Sequence, residues 1–281
     1  MPLSVITDTS CDLPDEELQR YHITMIPLKV TFDDGETFLD RFELTPPVFL
    51  KKMRMAKKLP KTAAPDPNTF LEHFERGLRD KGEVLFVSLS SGLSSTFQTA
   101  KLACNMLSSE QVKIFDSLTA SLGTGITAIK AAQMAAAGLS LDNIVDRLTL
   151  MRKDRQVIFT LDTLENVVKG GRLSRVEGLA GTLLNIKPIL MGNDRGVPEV
   201  VEKVRGRKKA IHRMVNMLSK TSGIPLNERL FGISHVNAEE DAHYLSEMIR
   251  KLHNPVNPIL ISEMSATIGT YAGEGGLMIN I

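Results

Sequence analysis

Residues 90–96, SSGLSST, place five hydroxyl side chains and a glycine within seven positions. They follow an apolar run at residues 84–88 that predicts a buried parallel strand, and they precede a helical pattern expected to begin at Ser94. A helix N-terminus offers unpaired N–H groups and partial positive charge, and Gly92 permits close approach of the backbone. Ligands of open α/β sheets bind at this edge. The run therefore indicates a site for an anion, either phosphate or carboxylate.

Two other interpretations of this run are a simple N-cap and a catalytic nucleophile. A serine commonly caps an ordinary helix, and a single serine would favour that interpretation. A nucleophilic serine needs a neighbouring base, yet the run lacks a Gly-x-Ser-x-Gly motif and none of the six histidines is spaced to serve. A phosphotransfer enzyme or phosphate-binding regulator stays an alternative, although no Walker lysine follows the run.

Glycine-rich segments indicate two further loops that could approach a ligand closely. Residues 168–175, VKGGRLSR, combine paired glycines with three cations, which could clamp an anion or lie on a surface turn. Residues 273–276, GEGG, form a second such segment before the last predicted strand. Either segment could be only a turn.

Three aspartates, Asp8, Asp12 and Asp116, fall at or just after the ends of predicted strands. Carboxylates in that position can hold magnesium. Aspartate is also a common cap and turn residue, and we favour that role for all three.

The chemistry-bearing segments need a scaffold, and apolar periodicity predicts one. Predicted strands lie at residues 4–7, 23–32, 84–88, 112–116, 156–161, 186–190, 197–204, 229–235, 258–263 and 277–281. Predicted helices lie at residues 14–21, 45–55, 68–81, 94–107, 123–138, 141–154, 163–169, 208–221 and 241–252. Residues 61–67 should form a loop. Residues 33–36 predict a hairpin turn.

The order of these elements predicts an α/β fold in two parts. The β-α-β-α order of the first part favours a mostly parallel sheet with helices on both faces. The glycine turn at residues 192–196 predicts an antiparallel pair, and therefore a mixed sheet with helices, in the second part. The length favours domains at residues 1–155 and 156–281.

Composition excludes several classes of protein. The 281 residues are 42% hydrophobic with net charge +1, which gives no argument for nucleic-acid binding. Basic runs at residues 51–58 and 203–209 are more typical of solvated faces or partner surfaces. No His/Cys cluster has zinc spacing, so no metal is expected. No signal peptide or apolar run of about 18 residues is found, so we expect a cytoplasmic protein.

Several motifs together resemble the bacterial DegV family over nearly the whole chain. Each motif is weak alone, but their order and spacing are specific. They are ITDTSCDLP at residues 6–14, TAAP at 62–65, SSGLSSTFQTA at 90–100, DS at 116–117, LENVVKGGRLS at 164–174 and KPIL at 187–190.

The resemblance implies a non-catalytic carrier with a long-chain fatty acid, such as palmitate, stearate or oleate, in a tunnel between two α/β domains. It implies no cofactor. A separate fatty-acid kinase would phosphorylate the presented carboxylate for phospholipid synthesis, and transient membrane contact is compatible with that role. Carried over by motif, Thr62 and Ser94 bind the carboxylate, with Leu93 and Ser95 as backbone donors. Arg172 engages the kinase or sets the electrostatics of the site.

The chain departs from the family pattern at two places. Ala63 and Ala64 stand where serine and glutamine are usual. Tyr271 stands where a histidine commonly lies near the carboxylate, and Glu274 replaces a common proline. A phenol can donate one hydrogen bond but stays neutral at pH 7. Six apolar residues are candidates for the tunnel lining, although a role as simple core residues is the stronger interpretation. They are Met25, Ile26, Leu28, Ile126, Ile129 and Met134.

Overall fold

The computed structural model describes residues 3–173, 185–219 and 224–281. Its strands are β1 Leu3–Asp8, β2 Thr24–Ile26, β3 Lys29–Thr31, β4 Thr37–Leu39, β5 Lys61–Ala63, β6 Glu83–Ser88, β7 Val112–Asp116, β8 Val157–Thr160, β9 Ile186–Gly192, β10 Pro198–Arg205, β11 Gly232–His235, β12 Leu260–Glu263 and β13 Leu277–Asn280. Its α-helices are α1 Asp15–Tyr21, α2 Pro46–Met55, α3 Pro67–Lys81, α4 Thr96–Leu107, α5 Leu122–Ala136, α6 Leu141–Arg152, α7 Glu165–Lys169, α8 Arg207–Met217, α9 Glu239–His253 and α10 Ala266–Ala272. Short 3₁₀ helices cover Thr9–Cys11 and Leu226–Glu228.

The first sheet is parallel, in the order β2-β1-β6-β7. Because side chains alternate along a strand, Val84 and Phe86 of β6 pack against α3 and α4, while Leu85 and Val87 pack against α5. Helices therefore cover both faces, as the continuous apolar run of β6 predicts.

The second sheet is mixed, in the order β10-β9-β8-β13-β11-β12. Its pairs are antiparallel except β11 with β12. On one face, Ile158, Ile233 and Ile279 pack against α8 and α9. The other face carries Val157, Phe159 and Met278 and forms a separate apolar cluster. The predicted α/β fold class, with one parallel and one mixed sheet, is confirmed.

A small antiparallel sheet, β4-β3-β5, corrects two sequence predictions. The single strand predicted over residues 23–32 is divided around Pro27 into β2 of the parallel sheet and β3 of the small sheet. The loop predicted over residues 61–67 contains β5, because the backbone at Thr62 pairs with Val30 of β3. The predicted hairpin at residues 33–36 is confirmed by the pairing of β3 with β4.

Helix boundaries also differ from the prediction. The helix expected from Ser94 begins at Thr96, so Ser94 and Ser95 lie in the preceding turn. Helix α10 was not predicted, and it is part of the site described below. Ser174 and Arg175 of the glycine-rich segment at residues 168–175 lie outside the described residues. So do residues 220–221, at the end of the helix predicted over 208–221.

Candidate functional site

An apolar cavity lies between the parallel and mixed sheets. Its first wall comes from the carboxyl ends of parallel strands: Leu28, Leu89 and Leu118 follow β2, β6 and β7 within two residues. This is the edge at which open α/β sheets bind ligands. Of the six lining candidates named from sequence, Leu28 lines this cavity, whereas Ile26 and Ile129 are packed into the cores beside the parallel sheet.

The second wall comes from the mixed sheet and α10. Val157, Phe159 and Met278 contribute from the face that does not carry α8 and α9, and Ile268 and Ala272 contribute from α10. The walls enclose about 850 Å³ of space, part of it continuous with solvent. The lining is predominantly apolar, as in binding cavities for small molecules, so this cavity suits an apolar ligand.

A shallow, more polar depression opens onto the surface beside the cavity. Its lining includes Pro65, Asp66, Ser95 and Thr99. Thr62, Ser94 and Arg172 line both the depression and the apolar cavity. These three residues therefore mark the junction between the two spaces, which we call the mouth.

Thr62 reaches the mouth because β5 pairs with β3. Its Oγ1 lies 2.6 Å from the hydroxyl oxygen of Tyr271 on α10. Both side chains are half-buried, and either hydroxyl can donate this hydrogen bond. Tyr271, which stands where the resemblance places a histidine, is therefore in direct contact with Thr62.

Arg172 stacks its guanidinium on the Tyr271 ring, 4.5 Å from the ring centroid. Its Nε donates to the Leu93 carbonyl at 3.2 Å and its Nη1 donates to the Gly170 carbonyl at 2.6 Å. Gly170 allows the stacking, because a Cβ there would overlap the Tyr271 ring. Among the described residues Arg172 forms no ion pair, and its charged side chain lines the mouth.

The serine-rich run does not act as one cradle. Ser90 is buried, and its Oγ donates to the Gly196 carbonyl in the turn between β9 and β10 at 2.8 Å. Gly92 packs closely on the same turn, since a Cβ there would lie 2.7 Å from the Arg195 carbonyl oxygen. These two positions join the run to the mixed sheet.

Ser94 is the hydroxyl residue of the run that lines the mouth, and Ser95 lines the depression beside it. Ser94 Oγ lies 2.9 Å from Thr96 Oγ1 and accepts the Thr96 N–H at 3.3 Å, which leaves the Ser94 proton free to point outward when Thr96 donates. The Leu93 N–H donates to the Ser90 carbonyl at 3.0 Å. The Leu93 N–H, predicted as a donor to the carboxylate, is therefore used within its own turn in this structure. Leu93 instead lines the cavity with its side chain.

Of the three aspartates considered as magnesium ligands, Asp8 caps the 3₁₀ helix and Asp116 closes a turn, whereas Asp12 bonds to residues distant in sequence. Asp8 accepts the N–H groups of Ser10 and Leu89, and Asp116 accepts those of Ser91 and Leu118. Within residues 3–173, 185–219 and 224–281, no group of His, Cys, Asp or Glu side chains could hold a metal ion.

The N-terminus of α10 meets two buried carboxylates that the sequence did not indicate as a pair. Asp12 accepts the Ser265 N–H at 2.8 Å. Asp40 accepts the N–H groups of Ala266 and Thr267 at 2.9 and 3.2 Å. Burial raises the pKa of Asp12 to about 7 and also raises the pKa of Asp40, because a charged carboxylate loses its hydration.

Glu274, the second departure from the family pattern, has local partners. It forms an ion pair with Arg54 of α2, and Asn237 donates to its Oε1 at 2.7 Å. The hydrogen bonds from Arg54 lower the pKa of Glu274, so this carboxylate stays charged. The positive charge of Arg54 balances it.

We compared the sequence with models of protein families and with known proteins. The family model described as "uncharacterised protein, DegV family" matches residues 2–281. A DegV domain-containing protein of Listeria monocytogenes is 34% identical over 277 residues, which cover 98% of this chain and 96% of the relative. The chain belongs to the DegV family.

Solved DegV structures share the fold. A fatty-acid-binding DegV protein from Thermus thermophilus is 28% identical, with a TM-score of 0.90 over 100% of this chain and 99% of that one. The fatty acid kinase B3 protein of Streptococcus pneumoniae, loaded with linoleic acid, is 26% identical with a TM-score of 0.86, covering 100% and 99%. None of the helices in the described part of this DegV protein is long and apolar enough to cross a membrane.

Proposed function

We propose that this DegV protein binds a long-chain fatty acid, such as palmitate, stearate or oleate, with its tail in the apolar cavity and its carboxylate at the mouth. One observation carries the proposal: Thr62, Ser94 and Arg172 line both the apolar cavity and the polar depression. A ligand apolar along its length and anionic at one end matches this arrangement. We further propose residues 1–155 and 156–281 as the two domains that enclose the ligand, because lining residues come from both.

The energetics support such a ligand. Burying one methylene group stabilises by about 0.8 kcal/mol, so a tail of about 16 carbons gains roughly 10 kcal/mol before ordering costs. The carboxylate must leave water, which is unfavourable unless donors replace its hydration. Ser94 supplies a hydroxyl donor, and so does whichever of Thr62 and Tyr271 accepts the hydrogen bond between them; Arg172 supplies positive charge beside them.

We propose in addition that the carrier presents the bound carboxylate to a separate fatty-acid kinase and performs no catalysis itself. The Streptococcus pneumoniae relative named as a fatty acid kinase B3 protein supports this role. The position of the mouth also supports it, because Thr62, Ser94 and Arg172 are only partly buried and the depression is open to a partner. The Ser90–Thr96 run gives weaker support to a phosphate site, since the adjoining cavity is lined mainly by apolar side chains.

Mass spectrometry of natively purified protein tests the binding proposal. We expect a fatty acid to co-purify in roughly equimolar amount, and Thr62→Val with Ser94→Ala to reduce it. Repeated preparations free of fatty acid, with no uptake of added palmitate, would contradict the proposal. Kinase coupling is tested separately, by adding a bacterial fatty-acid kinase with ATP to the palmitate-loaded carrier and measuring acyl phosphate. Acyl phosphate formed by the chain alone would contradict the non-catalytic role.

A further inference from the structure

Helix α10 carries part of the site but is anchored from the other half of the molecule. Ile268, Tyr271 and Ala272 of α10 line the cavity. Its first N–H groups donate to Asp12, which ends the 3₁₀ helix after β1, and to Asp40, which follows β4. Both aspartates are 1% exposed or less. The N–H groups at the start of α10, which have no partner within the helix, are therefore bound by carboxylates more than 200 residues earlier in the sequence.

We infer that Asp12 and Asp40 are positioning residues, which set α10 in the orientation that places the Tyr271 hydroxyl at the mouth and closes the cavity wall. The inference rests on the proposed function. It assigns a binding role to two carboxylates that touch neither the mouth nor the proposed ligand.

The two carboxylates differ in what they accept. Both oxygens of Asp40 accept backbone N–H groups of α10, at Ala266 and Thr267. Asp12 accepts one backbone N–H, at Ser265, and its other oxygen accepts the hydroxyl of Ser121 at 2.5 Å. A hydroxyl can turn to accept a hydrogen bond, whereas an N–H cannot.

An amide in place of each carboxylate should therefore have unequal effects. Asp40→Asn turns a donor NH₂ toward a backbone N–H of α10 and leaves that N–H without an acceptor. Asp12→Asn keeps an acceptor for the Ser265 N–H and can donate to Ser121. Asp40 is thus the stronger anchor, and Asn should weaken palmitate binding more at position 40 than at position 12.

About one and a half turns of α10 separate the N–H groups bound by Asp40 from Tyr271 at the mouth. Thr267 follows Ala266 directly, and Tyr271 lies four residues after Thr267, on the same face of the helix. Gly269 on the intervening turn packs against Phe49 of α2, where a Cβ would lie 2.8 Å from the phenyl ring. A shift of the N-terminus is therefore transmitted to Tyr271 rather than absorbed between them.

Asp8 provides a matched control. It is a fully buried carboxylate that accepts two backbone N–H groups, from Ser10 and Leu89, so an amide there creates the same donor conflict. Both of its partners lie in the N-terminal half, and it does not touch α10. Asp8→Asn should lower stability as Asp40→Asn does without moving the Tyr271 hydroxyl.

The experiment measures palmitate affinity and the NMR signal of palmitate isotopically labelled at its carboxyl carbon, in the full chain. We expect Asp40→Asn to weaken binding about tenfold or more, with a shifted carboxyl resonance. Asp12→Asn should stay within about threefold of wild type. Asp8→Asn, whose partner Leu89 lines the cavity away from α10, should leave the carboxyl resonance unshifted. In a Tyr271→Phe background the effect of Asp40→Asn on affinity should shrink by at least half, because both substitutions act on one hydroxyl.

Several outcomes overturn the inference. Asp40→Asn with wild-type affinity and an unshifted resonance would do so, as would full additivity with Tyr271→Phe. If Asp40→Asn does not fold, Asp12→Ala removes the acceptor of the Ser265 N–H and carries the same prediction of weaker binding and a shifted resonance. Wild-type protein that fails to bind palmitate contradicts the proposed function itself. Normal wild-type binding with unaffected anchor variants contradicts only the positioning role.

Discussion

Replacement of Tyr271 by phenylalanine isolates the hydroxyl that departs from the family pattern. The ring stays, so the stacking of Arg172 and the contact with Gly170 are kept. The substitution removes only the hydroxyl that lies 2.6 Å from Thr62 Oγ1.

Loss of this hydroxyl has two separate effects, one on stability and one on binding. In the unliganded protein, loss of one neutral hydrogen bond should lower the free energy of unfolding by about 0.5–1.5 kcal/mol. In the complex, a hydrogen bond to the ligand carboxylate contributes about 1.5–3 kcal/mol, and 1.4 kcal/mol is a factor of ten in affinity. Tyr271→Phe should therefore weaken palmitate binding by about 10–100-fold while changing stability little.

Displacement of a fluorescent fatty acid by palmitate measures this affinity, and thermal unfolding measures the stability. Tyr244→Phe is the matched control, because the Tyr244 hydroxyl bonds to His212 on the outer helices, away from the cavity. The control should bind palmitate like the wild type. Equal palmitate affinity for Tyr271→Phe and wild type, alongside a large loss for Thr62→Val, would refute the assignment of Tyr271 as a carboxylate donor.

Three further predictions concern the mouth and the buried carboxylates. Gly170→Ala should displace the Tyr271 ring, lower stability by about 1–3 kcal/mol in thermal unfolding and weaken palmitate binding; unchanged values would contradict the close packing. Arg172→Ala should weaken binding most at low salt, and Arg172→Lys should restore only part of the affinity because lysine lacks the planar stack; equal affinities across a salt titration would contradict this. Burial raises the pKa of Asp12 to about 7 and that of Asp8 to about 6, above the unfolded value of 3.8, so the folded state binds more protons and stability should fall as pH rises from about 4 to 7. Denaturant unfolding across this range checks the sign, and Asp12→Asn should flatten the dependence.

Much of the fold was predictable because its strands are locally distinct. The apolar runs of β6 and β7 are bounded by glycine and polar residues, so sequence alone placed them within one residue. A strand that is buried on both faces of a sheet must be apolar throughout, so its position can be predicted from the local sequence.

The failures have a common physical cause, which is dependence on distant partners. Residues 61–63 have little strand propensity and become β5 only because β3 offers its edge. Helix α10 is short and contains two threonines, an isoleucine and a glycine, all modest or poor helix formers, and it is held at its start by Asp12 and Asp40. The sequence around residues 61–63 does not contain β3, and the sequence around α10 does not contain Asp12 or Asp40, so neither element could be predicted locally.

The site divides in the same way. Family motifs indicated Thr62, Ser94 and Arg172, and the structure brings all three to one mouth. The motifs did not show that Ser90 and Gly92 fasten the run to the β9–β10 turn, or that the Leu93 N–H is used within its own turn. Those roles depend on which backbone groups meet in three dimensions.

Electron density of the natively purified protein tests the central claim most directly. The account predicts an elongated, unbranched feature between the two sheets, with its forked end within hydrogen-bonding distance of Thr62 and Ser94 and its tail along Phe159 and Met278. A well-defined map with a phosphate-shaped feature at residues 90–96 and no elongated density in the cavity, even after soaking with palmitate, would contradict it.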